Sequence, residues 1–185
     1  MIQKLIRISR IVSHALRHEP WTYELELDEQ GWTDVEVLLA ALRRESPEWA
    51  DLTERDLAEM IAASSKRRHE LAAGKIRALY GHSLPDRLLK VPAPPPERLF
   101  HGTAPAAVAK IGEAGLLPMG RQYVHLSVNR DEAVAVGKRK APAPVVLIVR
   151  ARDAWNDGVT FYSGNERVWL ADSVPWAYIA VAGER

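Results

Sequence analysis

Several short clusters in this 185-residue chain could handle a phosphate. Arg17-His18 joins a fixed cation to a base that titrates near neutral pH, so the pair could bind a phosphate and donate or relay a proton. The same pair suits a helix C-terminus, where the helix dipole favours cations, and the sequence leaves both readings open. Lys66, Arg67, Arg68, Lys75 and Arg77 form a basic cluster opposed only by Glu70. Local rather than net charge governs anion binding. Gly81-His82-Ser83 follows, either as a backbone-amide cradle for an anion or as a plain turn after a strand. His101-Gly102-Thr103 sets two polar side chains around a glycine that permits close backbone approach to a nucleotide. Arg121, Tyr123, His125 and Ser127 alternate, so in a strand they share one face. A face carrying four polar-capable groups requires solvent or a ligand.

Other chemistries are excluded. The chain has no cysteine, which removes thiolate nucleophiles, thiolate metal sites and a disulfide framework. His14 and His18 have zinc-like spacing, but the intervening Ala-Leu-Arg lacks the glutamate of the metalloprotease motif and adds a repelling cation, so no metal is expected. Neither a GxGxxG nor a GxxxxGK[ST] pattern is present. No apolar run approaches the roughly 20 residues of a membrane span, and the N-terminus has no signal-peptide h-region, so a cytoplasmic protein is the expectation. Net charge is +1, yet the basic residues divide into 18 Arg and 7 Lys. That bias fits either bidentate phosphate recognition or a GC-rich genome.

The elements that must position these groups can be read from pattern. Ile2, Leu5, Ile6, Ile8, Ile11, Val12, Ala15 and Leu16 recur at helical spacing, and Glu19-Pro20 ends that helix. Thr33 with Glu36 predicts a capping box for a second helix through Arg44. Thr53 with Asp56 predicts a third start, for a helix carrying Leu57, Met60 and Ile61. Segments flanking Ala73-Gly74 predict a hairpin. Three helices and a hairpin are the order of a winged-helix lobe. Val91 to Glu97, VPAPPPE, reads as a stiff proline-rich linker. Beyond it come strands at Leu99–His101, Tyr123–Ser127, Val145–Val149, Val168–Leu170 and Tyr178–Val181. Helices are expected from Pro105 to Glu113, capped by Gly115, and from Asp131 to Lys140. The predicted class is α+β, with lobes at 1–90 and 98–185.

These motifs in this order resemble the RNA 2′-phosphotransferase family, the KptA-type enzymes. The resemblance rests on LRHEP (Leu16 to Pro20), Gly31-Trp32, and KRR followed by IRALYGHS (Ile76 to Ser83). It continues through LFHGT (Leu99 to Thr103), GLLPMGRQYVHLS (Gly115 to Ser127), Val136 to Arg139 and VWLADSVPWAYI (Val168 to Ile179). It covers nearly the whole chain. It implies a winged-helix N-terminal lobe and a C-terminal lobe with an ADP-ribosyltransferase-like fold.

The implied activity removes an internal RNA 2′-phosphate by transferring it to NAD⁺ as co-substrate, without a metal. The RNA 2′-phosphate attacks C1″ of the nicotinamide ribose and nicotinamide leaves, giving an ADP-ribosylated RNA 2′-phosphate. O2″ then attacks phosphorus, yielding 2′-OH RNA and ADP-ribose 1″,2″-cyclic phosphate. By motif, Arg17, His18 and Arg121 match members of the family's essential Arg-His-Arg-Arg set. Arg68 matches the third member, or Arg67 if the register shifts by one. His69 stands where the family usually has phenylalanine. Arg67, Arg77 and His82 are further RNA-phosphate candidates. His101, Gly102, Thr103, His125, Ser127 and Arg139 are implied for NAD⁺, while Asn165 lies in a segment one residue longer than the family pattern. The partners implied are a 2′-phosphorylated RNA and NAD⁺, with a monomer expected and no membrane. Two alternatives remain open: ADP-ribosyl transfer to another nucleic-acid phosphate or hydroxyl, and a non-catalytic winged-helix nucleic-acid-binding protein.

Overall fold

The computed structural model describes residues 2–183, so the outermost lobe limits expected from sequence, 1 and 185, lie outside it. The chain divides into two compact units, Met1–Leu89 and Lys90–Arg185, and mixes helix with antiparallel sheet throughout.

The first unit opens with α1 (Ile2–Arg17), which buries Ile8, Val12, Ala15 and Leu16 along one stripe. That stripe packs in one core with Leu38, Leu39 and Leu42 of α2 (Val35–Glu45) and Leu57 and Met60 of α3 (Glu54–Ala62). Thr53 and Asp56 form the expected capping box at α3, with reciprocal side-chain to backbone bonds. The box expected at α2 does not form. Thr33 is only 6% exposed and lies in a strand, β1 (Trp32–Asp34), leaving Asp34 at the helix N-cap. The hairpin forms as β2 (His69–Ala72) and β3 (Lys75–Ala78), and β1 joins it as a third strand in the order β1-β3-β2. The connection is a two-residue turn with φ of 48° at Ala73 and 72° at Gly74. Positive φ at both central positions is the hairpin geometry that follows strand twist, and alanine adopts it under strain.

The second unit is a six-stranded antiparallel sheet in the order β7-β8-β5-β4-β6-β9. Its strands are β4 (Arg98–Thr103), β5 (Val124–Ser127), β6 (Val145–Arg150), β7 (Phe161–Ser163), β8 (Val168–Ala171) and β9 (Ile179–Val181). Leu99, Leu126, Leu147, Val149 and Phe161 anchor its core. Pro105 opens a 3-10 turn, Pro105–Ala107, ahead of α4 (Val108–Ala114). Gly115 caps α4 with φ of 75°, and a Cβ there would stand 2.4 Å from the Val174 carbonyl oxygen. α5 (Arg130–Gly137) lies against β4, and α6 (Ala151–Asn156) follows β6. The first residues of the proline-rich segment are not detached. Pro92 bridges to Tyr162, and the Ala93 N–H donates to the Phe161 carbonyl, so the segment extends the β7 edge.

Candidate active site

In the first unit the chain brings Arg17, His18, Arg68 and Ser83 to one place. Arg17 is the last residue of α1, and its guanidinium donates to the Arg68 carbonyl at 3.2 Å. The same carbonyl accepts the Leu79 N–H at 3.0 Å, so Arg68 is fixed at the mouth of the hairpin. The Arg17 guanidinium also lies 5.3 Å from the Tyr80 ring centroid, a cation-π contact that holds its plane. Arg68 donates to Ser64 Oγ at 3.1 Å, and no carboxylate pairs with it among the described residues. His18 Nδ1 is 2.8 Å from Ser83 Oγ, while the Ser83 N–H donates to the Arg17 carbonyl at 2.9 Å. Ser83 thus binds the end of α1 through both backbone and side chain.

His69, the residue after Arg68, is 2% exposed, with Nε2 3.1 Å from Ser13 Oγ. Its pKa is lowered from the ordinary histidine value to about 3, first by burial and then by the positive charges of Arg17 and Arg68. The imidazole is therefore neutral, chiefly through burial, with the charges of Arg17 and Arg68 acting on it as well. Such a convergence of like charges is best relieved by an anion.

The remaining basic candidates have partners of their own. Arg77 faces Glu70 and Trp32 across its two neighbouring strands, with a 2.7 Å ion pair to Glu70 and a cation-π contact of 4.4 Å to Trp32. Arg67 meets the same Glu70 at 3.4 Å. The sheet therefore gives both residues a structural partner, and Arg68 rather than Arg67 stands with Arg17. His82 is 3% exposed, and its Nε2 lies 3.8 Å from where a Gly31 Cβ would be, so it belongs to the interior rather than to an exposed contact surface. His14 and His18 turn to separate partners, Tyr23 and Ser83.

In the second unit, β4 and β5 lie side by side and carry His101, Thr103, His125 and Ser127. His101 Nδ1–H donates to the His125 carbonyl, and His125 Nδ1–H donates to the Tyr123 carbonyl, both at 2.9 Å. A carbonyl can only accept, so each bond places a proton on Nδ1 and fixes the orientation of its ring. Burial pushes His101 below its ordinary pKa, the His125 carbonyl opposes that shift, and the Lys140 charge adds to it. Thr103 and Ser127 are buried.

Gly102 has a packing reason of its own. A Cβ there would stand 1.9 Å from the Ala133 carbonyl oxygen and 2.9 Å from the Gly137 nitrogen, so β4 and α5 meet backbone to backbone. Arg121 lies outside the strand: β5 begins at Val124, and Arg121 sits exposed in a turn where its N–H bonds the Pro118 carbonyl. The expected four-residue alternation thus holds only for His125 and Ser127. Arg139 is exposed just past the end of α5. Asn165 Oδ1 accepts the N–H groups of Arg167 and Val168, closing the β7–β8 turn. Among the described residues, no group of three or more His, Asp or Glu side chains is placed to hold a metal, and no helix is long and apolar enough to cross a membrane.

Residues 3–173 match the family described as RNA 2'-phosphotransferase, Tpt1 / KptA family. The chain belongs to this family. A relative from Acetivibrio thermocellus, named "Probable RNA 2'-phosphotransferase", is 53% identical over 173 residues, covering 94% of each chain. One of the same name from Bacillus thuringiensis subsp. konkukian is 53% identical over 174 residues, again 94% of each. A more distant one, from Pyrococcus horikoshii, is 37% identical over 169 residues, 91% of this chain and 94% of its own. The RNA 2′-phosphotransferase match spans both clusters, from Arg17 and Arg68 to Arg121 and His125. The motifs did not single out Ser13, Ser64, His69 and Tyr80 as parts of the site. Only His69, a polar residue at a position expected to be apolar, carried a visible signal.

Proposed function

We propose that this protein removes an internal 2′-phosphate from RNA by transferring it to NAD⁺. The observation that carries the proposal is the pair of arginines, Arg17 and Arg68, tied together through the Arg68 carbonyl beside neutral His69. A dianionic phosphate ester matches that pair, and arginine's planar fork can grip several of its oxygens. Arg121 is assigned to the same phosphate by its motif.

His101, Thr103, His125 and Ser127 are assigned to NAD⁺. Their donor and acceptor set, with two ring orientations fixed by carbonyl bonds, suits a polyhydroxylated ribose. Arg139 carries a cation for the pyrophosphate. Gly102 serves by letting α5 approach β4. Bound NAD⁺ supplies an electrophilic ribose carbon with nicotinamide as leaving group. The RNA 2′-phosphate attacks that carbon, and ribose O2″ then displaces the RNA 2′-oxygen at phosphorus. The second step takes a proton from O2″ and returns one to the departing RNA oxygen. His18 is the group assigned to that transfer, with Ser83 Oγ orienting its ring. The arginines stabilise charge that builds on the phosphate oxygens.

The test is incubation with NAD⁺ and an RNA carrying one internal 2′-phosphate, with nicotinamide release and RNA mass followed together. Conversion to 2′-OH RNA with matching nicotinamide release is expected. Arg121→Ala should lower turnover by about 10²- to 10³-fold, the range for removing one charge-stabilising donor. Unchanged RNA with the unsubstituted protein would overturn the proposal, and near-normal turnover of the variant would overturn the role of Arg121.

A further inference from the structure

The outer face of α1 carries a row of basic side chains that ends at Arg17 of the candidate site, and the proposed chemistry leaves the members before Arg17 without a role. Arg7, Arg10, His14 and Arg17 recur at three- and four-residue spacing and so share one side of the helix. Ile8, Val12, Ala15 and Leu16 occupy the buried side. The row is continuous with the candidate site, because the His14 and His18 ring centroids are 6.2 Å apart. From His14 it runs into a surface groove lined also by Arg7, Arg10, Glu48 and Trp49.

The groups along the row differ in commitment. Arg7 pairs with Glu48 and lies 5.9 Å from the Trp49 ring centroid, so its guanidinium is held in place along one wall. His14 bonds Tyr23 Oη at 3.0 Å and faces Glu19 at 3.8 Å. Arg10 is exposed and, among the described residues, makes no hydrogen bond or ion pair. It stands two turns before Arg17, about 10 Å along the axis. Trp21 is 57% exposed on the 3-10 turn that follows α1, the same turn whose Tyr23 bonds His14. Spaced cations with an accessible aromatic suit a single nucleic-acid strand, which offers phosphates and base faces together.

We infer that this face of α1 is a track for the RNA nucleotides flanking the 2′-phosphate, with Arg10 as its principal backbone contact and Arg7 a second. The inference rests on the proposed function, since the strand it binds is the substrate of that reaction. The track adds affinity for longer RNA and takes no part in the bond changes.

The test compares two substrates with the full chain and NAD⁺: a 2′-phosphorylated dinucleotide, and the same dinucleotide embedded in a longer single strand. The wild type should show a lower KM for the longer RNA. In Arg7→Gln/Arg10→Gln that advantage should shrink by about tenfold, and kcat should hold. The salt dependence of KM should flatten by about one log unit per log unit of salt for each arginine replaced. Arg10→Gln alone should give part of the effect, and because that side chain is exposed the change should leave the melting temperature where it is. Equal KM for both substrates in the wild type, an equal loss on both in the variants, or an unchanged length advantage would each overturn the track. If the wild type converted neither substrate, the underlying reading would fail and the track with it. Turnover of the dinucleotide with no length advantage would sink the track alone.

Discussion

His69 makes the first unit sensitive to mild acid, and the size of the effect follows from its surroundings. In the unfolded chain it titrates near the ordinary histidine value. In the folded protein its pKa is about 3, because the ring is buried and two arginines face it. Between these values the unfolded chain binds a proton that the native state refuses, so stability rises with pH and is lost as pH falls below about 6.5. From about pH 7.5 to about pH 5 that single group costs about 2 kcal/mol, and the slope then approaches about 1.4 kcal/mol per pH unit. Asp56, also depressed, to about 2, weakens the fold only below the ordinary aspartate range and so leaves this window clear. His101 is depressed as well, but it acts equally in any comparison that leaves it intact. The perturbation is His69→Phe, measured by urea unfolding at a series of pH values beside the wild type. At neutral pH the variant should be modestly less stable, without the Ser13 bond, by about 1 kcal/mol. As pH falls the difference should shrink and then reverse, moving by about 2 kcal/mol in total. Parallel stability curves across that range would refute the account of His69 as a buried, neutral histidine under the influence of Arg17 and Arg68.

Other outcomes follow from single interactions. Arg68→Ala should reduce turnover by about 10²-fold or more, whereas Arg67→Ala, which removes a 3.4 Å surface contact to Glu70, should stay within about threefold; the reverse ranking by steady-state kinetics would move the site by one residue. Gly102→Ala forces a methyl against the Ala133 carbonyl and should destabilise the second unit by at least about 1–3 kcal/mol in thermal unfolding; a melting temperature equal to wild type would contradict the backbone contact. Ala73→Asn relieves a left-handed alanine in the hairpin turn and should raise stability by about 0.5–1 kcal/mol without altering turnover; a loss of stability would show that the turn is not of this type.

The sequence showed most where a pattern is local. The Thr53–Asp56 box, the turn at Ala73-Gly74 and the Gly115 cap each depend on a few neighbouring residues, and each formed. Thr33 failed because its box signature competed with a strand that only tertiary pairing creates: Thr33 is paired with Ile76, a partner remote in sequence. Three-residue strands such as β1 and β7 carry too little alternation to be seen. The site followed the same division. Arg17, His18 and Arg68 were visible as motif residues, but what distinguishes Arg68 from Arg67 is direction. Adjacent side chains entering β2 turn to different partners, Glu70 for one and Ser64 for the other. No spacing rule showed that His69 lies buried against Ser13, because that contact joins positions 56 residues apart. Alternation from Arg121 to Ser127 suggested a single face, but the strand starts three residues later and leaves Arg121 in a turn.

The central claim is that the phosphate itself moves from RNA to NAD⁺. It is tested most directly by labelling the phosphorus of an internal RNA 2′-phosphate and following it after incubation with the protein and NAD⁺. The expected result is label recovered in ADP-ribose 1″,2″-cyclic phosphate, in amounts equal to the 2′-OH RNA formed. Label released as inorganic phosphate, or left on the RNA whether or not ADP-ribose is attached, would contradict the account.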